Sequence, residues 1–158
     1  MTKYVQSEFL AEIIARFPAL SLEEKAEEQA ILVPDNKDLL PLMFFLKEEH
    51  DFNMVSALTA VDYKEYFEVV YFLLAMKTQR LVCIKLHVAD HEQPKVPAVT
   101  PLWAGANFFE REVYDMFGIE FKDHPDLRRL FMPDDFVGHP LRKDFVPCEP
   151  KKEEGDKD

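Results

Sequence analysis

Three stretches of chain, Phe52 to Asp62, Tyr66 to Met76 and Arg80 to Ala89, are rich in β-branched and aromatic residues. Only Tyr63-Lys64-Glu65 and Lys77-Thr78-Gln79 separate them. Connections that short cannot carry a crossover, so the strands must run as an antiparallel meander. In the last strand Val82, Ile84, Leu86 and Val88 share one face, while Cys83, Lys85 and His87 share the other. That alternation describes a half-buried sheet with helices packed on one face only. The expected fold is therefore α+β: a two-layer sandwich of a mostly antiparallel sheet with helices, plus an extended C-terminal segment.

The helices are legible on either side of the meander. Phe9, Leu10, Ile13, Ile14 and Phe17 recur at helical spacing behind Ser7, a candidate cap, and Pro18 stops the pattern. Glu23, Glu24, Lys25, Glu27 and Glu28 read as a solvated linker, and Gln29 to Val33 as a short strand ended by Pro34. Leu39, Leu42, Met43, Phe45 and Leu46 form the buried stripe of a second helix, with Asp38 as the expected cap and Pro41 in the first turn. Pro94, Pro97 and Pro101 extend the chain before a third helix from about Leu102 to Phe117. Its core arc is Leu102, Ala106, Phe109, Val113 and Met116, with Glu110 and Glu112 at the edges. Arg111 and Asp115 are expected as a surface pair at i,i+4 spacing, and Gly118 ends the helix.

Beyond Gly118 the character changes. Pro125, Pro133 and Pro140 forbid a long helix, yet Phe121, Leu127, Leu130, Phe131, Met132, Phe136, Val137, Leu141 and Phe145 are too apolar for a disordered tail. An extended segment of that composition needs covering, and a partner surface is the economical inference. The expected organisation is an α+β domain over 1–118, an extended partner-binding segment over 119–147, and a solvated, disordered tail over 148–158.

Several function classes are excluded on composition. Lys and Arg number 19 against 30 Asp and Glu, a net charge of -11. Nucleic acid and anionic headgroups are disfavoured as partners by that charge. The two cysteines, Cys83 and Cys148, cannot build a four-thiolate iron-sulfur or zinc site within the chain. The N-terminus lacks an apolar signal region, and no apolar run reaches the ~18 residues of a membrane span. Glycine-rich phosphate loops and serine-nucleophile elbows are absent from the sequence.

The candidate chemical groups favour structure over catalysis. Glu110 and Glu112, two apart on a helix, do not face each other, so neither a catalytic pair nor a cofactor site is expected there. His87, Asp90, His91 and Glu92 read as a solvated loop, since Pro94 and Pro97 break the helix that metal-binding spacing would need. His124 and His139 each precede a proline and lack a third ligand. Arg128, Arg129 and Arg142 are expected to bind partner carboxylates or helix ends. Arg128 and Arg129 should point opposite ways in extended chain, one of them inward to Glu110 or Glu112.

The residues themselves carry a resemblance. Glu110-Arg111-Glu112-Val113-Tyr114-Asp115-Met116-Phe117-Gly118-Ile119 resembles the ERE-x-YDMFGI signature of the 30 kDa subunit family of respiratory complex I, whose bacterial members are called the C subunit. His124-Pro125-Asp126-Leu127-Arg128-Arg129-Leu130 continues it as HPDLRRL. Met132-Pro133-Asp134-Asp135 and Gly138-His139-Pro140-Leu141-Arg142-Lys143-Asp144-Phe145 resemble the closing MPDD and GHPLRKDF elements, and Leu58-Thr59-Ala60-Val61-Asp62 resembles LTAVD. After Phe145 this chain departs from the aromatic, arginine-containing tail of many relatives. The resemblance implies a peripheral-arm subunit of NADH-quinone oxidoreductase that binds no cofactor itself. FMN, iron-sulfur clusters and quinone belong to neighbouring subunits. It implies docking on the large D subunit and adjoining iron-sulfur subunits, at the cytoplasmic face of the inner (cell) membrane, with membrane association only through the complex. Two alternatives stay open: the equivalent subunit of a membrane-bound hydrogenase or other quinone-linked dehydrogenase, and an independent metal-dependent enzyme.

Overall fold

The computed structural model describes residues 3–25 and 28–148. In chain order the elements are β1 (Lys3–Tyr4), α1 (Ser7–Arg16), β2 (Ser21–Lys25), β3 (Glu28–Val33), α2 (Asn36–His50) and β4 (Met54–Asp62). They continue with β5 (Phe67–Ala75), β6 (Arg80–Val88), β7 (Lys95–Pro97), α3 (Ala106–Phe117) and β8 (Glu120–Lys122). The expected meander is present as β4-β5-β6, antiparallel throughout. β6 is then flanked by β3 in parallel, and β2 pairs antiparallel at the outer edge. β1 runs parallel to Arg80 and Leu81, in the lane that β3 occupies further along β6 at Cys83 to Leu86.

The inward faces of the strands and the buried faces of all three helices build a single large core cluster. Val82, Ile84, Leu86 and Val88 of β6 belong to it, whereas Cys83 joins Ala30 and Val70 on the opposite face. The fold is thus the α+β sandwich that the alternation required. The stripe Leu39, Leu42, Met43, Phe45 and Leu46 is buried as the spacing demanded.

Local details differ for physical reasons. The acidic stretch is not a linker: Ser21–Lys25 is an edge strand paired with β3, and Glu23 on it binds Lys25 and Lys85. Alternating charge suits an edge strand with one solvated face, a pattern that polarity alone does not separate from a loop. Glu27 lies outside the described residues. Ser7 is the first helical residue and caps nothing; Gln6 holds the cap position without a side-chain bond. In α2 the cap is Asp35, whose carboxylate accepts the Lys37 N–H at 3.2 Å. Asp38 therefore sits within the first turn and Pro41 one turn deeper than expected. α3 begins at Ala106, because Leu102 and Trp103 form a turn on the Val99 carbonyl. Lys47 Nζ donates to the Leu102 carbonyl at 2.7 Å and fixes that turn.

The chain leaving α3 is drawn back at once. β8 pairs in parallel with β7, which buries Ile119 and Phe121 in the core. From His124 to Cys148 there is no further helix or strand, and this strap runs back along α3. The tail beyond 148 lies outside the described residues. Among the described residues no helix is long and apolar enough to cross a membrane.

Gly118 makes the reversal possible. Its φ of +72° is left-handed, and an added Cβ would lie 2.6 Å from the His139 ring. Left-handed backbone costs a non-glycine residue ~1–2 kcal/mol, and the ring would also have to move. Gly118→Ala should therefore destabilise the protein by ~2 kcal/mol or more in urea unfolding, with Gly105→Ala, where no atom lies within 4 Å, as the mild control.

Candidate functional site

The strap is held by two buried carboxyl groups, Asp115 and Asp62, and a third, Glu110, ties α3 to the chain ahead of it. Asp115 is the most heavily used. It lies on α3 at 0% exposure, and its Oδ2 accepts the N–H groups of Leu130, Phe131 and Met132 at 3.1, 2.7 and 2.9 Å. Its Oδ1 accepts from Arg129 Nη1 at 2.8 Å. The other Arg129 nitrogen, Nη2, donates to the carbonyls of Phe136 and Gly138 at 3.0 and 2.8 Å, which folds the strap around the guanidinium. Burial alone would raise the Asp115 pKa. The Met132 and Phe131 N–H groups, the guanidinium and the Leu130 N–H outweigh it and hold the carboxyl below its ordinary value. His139 Nδ1 sits 2.9 Å from the Asp115 carbonyl oxygen, under Gly118.

The expected surface pair of Arg111 with Asp115 is thus not formed. Arg111 donates instead to the carbonyls of Arg128 and Arg129, both at 3.2 Å. A buried carboxylate with multiple N–H donors is a deeper well than an exposed i,i+4 pair, worth only a few tenths of a kcal/mol.

The second anchor is Asp62, the last residue of β4 and 3% exposed. It accepts the N–H groups of Lys143 and Lys64 at 2.8 and 2.7 Å and faces His91 Nε2 at 2.8 Å. Burial opposes its charge, yet the Lys143 and Lys64 N–H groups and His91 hold the carboxyl low. His91 is stacked on Phe67 at 4.4 Å and 4°, so it is a packed residue, not part of a solvated loop. Arg142 Nη2 donates to the His91 carbonyl at 2.9 Å, and Nη1 to the Phe117 carbonyl at 3.3 Å.

Glu110, the third buried carboxyl group, is fully buried, not at an edge. Its Oε1 accepts the Val99 and Thr100 N–H groups at 2.5 and 3.3 Å, and its Oε2 accepts from Thr100 Oγ1 at 2.5 Å. His124 Nε2 lies 3.6 Å from Oε2. Here burial wins over these donors and pushes the Glu110 pKa up to about 7. No guanidinium reaches it, which separates it from Asp115.

All three carboxyl groups lie in the region that decides kinship. Residues 32–151 match the family model for the 30 kDa subunit of respiratory-chain NADH dehydrogenase. The chain belongs to that family. It is 46% identical over 139 residues to the C subunit of NADH-quinone oxidoreductase from Moorella thermoacetica, covering 87% of this chain and 93% of that protein. It is 48% identical to the corresponding C subunit of Roseiflexus sp. over 63% of this chain, and it spans 60% of that relative's length. Among solved structures it resembles a chain of the membrane-bound sulfane sulfur reductase, an archaeal respiratory membrane complex. The TM-score is 0.72 at 26% identity, over 88% of this chain and 84% of that one.

For this 30 kDa-family protein the signature residues sort into two sets. Asp115, Arg129, His139 and Arg142 face the domain and hold the strap. Arg128 and Arg129 do point opposite ways, Arg128 outward with Asp126 at 2.9 Å. Arg129 turns inward as one of them should, but to Asp115 and not to Glu110 or Glu112. Glu112, Pro125, Pro133, Asp134, Leu141, Lys143 and Asp144 are exposed. Tyr114, Pro140 and Phe145 are half-buried, with the Phe145 ring stacked on Phe136 at 6.0 Å. His124 and His139 do not meet; one faces Glu110 and the other the Asp115 carbonyl. Among the described residues no group of three or more His, Cys, Asp or Glu is arranged to hold a metal ion.

Thr100, Asp62 and His91 belong to two of the three buried carboxyl clusters and were not assigned that role from sequence. Asp62 had a usable signal. It falls in phase with Leu58 and Ala60 on the buried face of β4, where a lone acid needs partners.

The pH dependence of stability follows from these shifts. Glu110 is raised, so its contribution is full below an unfolded value near 4.5 and is lost as pH climbs to about 7. Asp62 and Asp115 are lowered, so their contribution is present above ~3.8 and lost only in stronger acid. Glu110→Gln should flatten the fall in unfolding free energy between pH 5 and pH 8. Urea titrations of the two proteins at both values measure it, and an unchanged slope would place the titration elsewhere.

Proposed function

We propose that this protein is a non-catalytic part of the peripheral arm of a proton-translocating NADH-quinone oxidoreductase. It docks on the large D subunit and the adjoining iron-sulfur subunits, at the cytoplasmic face of the cell membrane. FMN, iron-sulfur clusters and quinone are carried by those neighbours, and this chain supplies the geometry that holds them in line.

One observation carries the reading. The strap is pinned through its backbone while four of its large apolar side chains are exposed: Phe131 is 62% exposed, Val137 75%, Leu141 56% and Val146 80%. A segment anchored by polar groups with its apolar side chains in water is arranged for a partner. The buried carboxyl groups that acid-base chemistry would need are committed to the chain's own N–H groups. Pinning also lowers the ordering cost of association, about 0.5–1.5 kcal/mol for each side chain that is already fixed.

A second support lies on the helix-free face of the sheet. β5 carries Val70, Phe72 and Leu74 outward as well as Val69, Tyr71 and Leu73 inward. A strand apolar on both faces suits a sheet covered on both.

The likeness to the sulfane sulfur reductase chain favours one other reading: the equivalent subunit of a related respiratory membrane assembly. Leu141→Asp and Val137→Asp, placed in the native gene, test the docking surface. Each should cut the amount of assembled complex about tenfold or more, since a buried unpaired charge costs several kcal/mol. Unfolding of the purified protein should be unchanged, and quinone reduction per assembled complex preserved. Normal assembly with abolished turnover would overturn the scaffold reading. Membranes lacking the chain that still reduce quinone with NADH at the full rate would favour the related assembly.

A further inference from the structure

His91 stands where the end of the sheet meets the end of the strap. Its ring lies flat on Phe67, and the Arg142 guanidinium approaches the same Phe67 ring, 5.2 Å from its centroid. Asp62 is 2.8 Å from Nε2, and Arg142 Nη2 is 3.2 Å from Nδ1. The side chains of all three are nearly withdrawn from solvent, at 2% for Asp62, 13% for His91 and 14% for Arg142. We propose that His91 is the positioning residue of the strap's closing block, a neutral imidazole relaying the Asp62 carboxylate to the Arg142 guanidinium.

The tautomer follows from the partners. Arginine only donates, so at this contact Nδ1 is the acceptor, sharing at 3.2 Å the two Nη2 hydrogens that also reach the His91 carbonyl and Asp144 Oδ2, both at 2.9 Å. An ionised Asp62 only accepts, so Nε2 must carry the proton and donate to it. The arrangement needs one donor and one acceptor on a flat group thin enough to lie on Phe67. Around it the block is closed by further bonds: the Lys143 N–H reaches Asp62, the Leu141 N–H reaches the Met116 carbonyl at 3.0 Å, and Asp144 accepts from Arg142 Nε at 2.8 Å and from Nη2 at 2.9 Å. What the relay fixes is the direction in which Leu141 and Phe145 leave the domain. The relay stands on geometry inside this chain, and only its consequence for assembly rests on the docking reading above.

Three variants at position 91 in the full chain test it. Gln offers a donor and an acceptor on a planar amide, Lys offers donors alone, and Ala offers neither. Hydrogen exchange at the Leu141 and Lys143 amides should quicken about tenfold or more in His91→Ala and His91→Lys, the loss expected when a hydrogen bond to a charged group is removed. His91→Gln should remain within about threefold of the native rate, and amides of β5 should be unaffected. Equal behaviour of Gln and Lys would reduce the ring to a space filler and overturn the proposal, even if His91→Ala fails to fold. Unchanged exchange in all three would overturn it as well. The nitrogen spectrum of the native protein should show a protonated Nε2 and a bare Nδ1, and the opposite tautomer would contradict the relay. Normal assembly of a complex built on a loosened strap would leave the relay standing and remove the docking reading.

Discussion

The strap depends on one carboxylate. Asp115 gathers the N–H groups of Leu130, Phe131 and Met132 and the Arg129 guanidinium onto two oxygens that water does not reach. Successive backbone amides converge on it as they would on a bound anion, and the anion here is the protein's own. Each charge-assisted bond is worth about twice a neutral one, and buried bonds reinforce one another. Removing the acid would strand a buried guanidinium and three amides, a loss of about 3–5 kcal/mol. Against a typical total stability of about 5–15 kcal/mol, that is enough to free the strap.

From that anchor the rest can be followed outward. Gly118 turns the chain, Arg129 wraps the segment between Phe136 and Gly138, and Asp62 takes up its far end through Lys143. The segment therefore has a fixed shape without helix or strand of its own. Many of its backbone amides are bonded inward, and Phe131, Val137, Leu141 and Val146 are exposed among charged neighbours. A partner meeting such a surface finds it already ordered, which is how a binding element built from irregular chain can still be specific. The acidic net charge of -11 repels phosphate backbones and anionic headgroups.

Much of the fold was readable because periodicity reports burial. The alternation of β6 and the stripe of α2 each matched the observed faces, since both depend on a single core. The meander was forced by two short connections. The misreadings have a common cause. Charged residues look solvated in sequence, yet Glu110 and Asp115 have no exposure at all. Arg111 and Asp115 are correctly spaced for a surface pair, and no local rule reveals that fifteen residues later the backbone needs an acceptor. His91 was hidden likewise, because its partners Asp62 and Arg142 are 29 and 51 residues away. The signature blocks named the family without the geometry. Some of their charged letters, Asp115, Arg129 and Arg142, hold the strap, while others such as Arg128 and Asp134 lie at the surface.

The central claim is that the strap is a folded part of the protein before any partner arrives. Hydrogen exchange at the Leu130, Phe131 and Met132 amides of the purified, unassembled chain measures this directly. Protection should approach that of α3 and fall sharply when Asp115 is replaced by Ala. Amides that exchange at the rate of an unstructured peptide in the native chain would contradict it, and the strap would then take its shape from the partner.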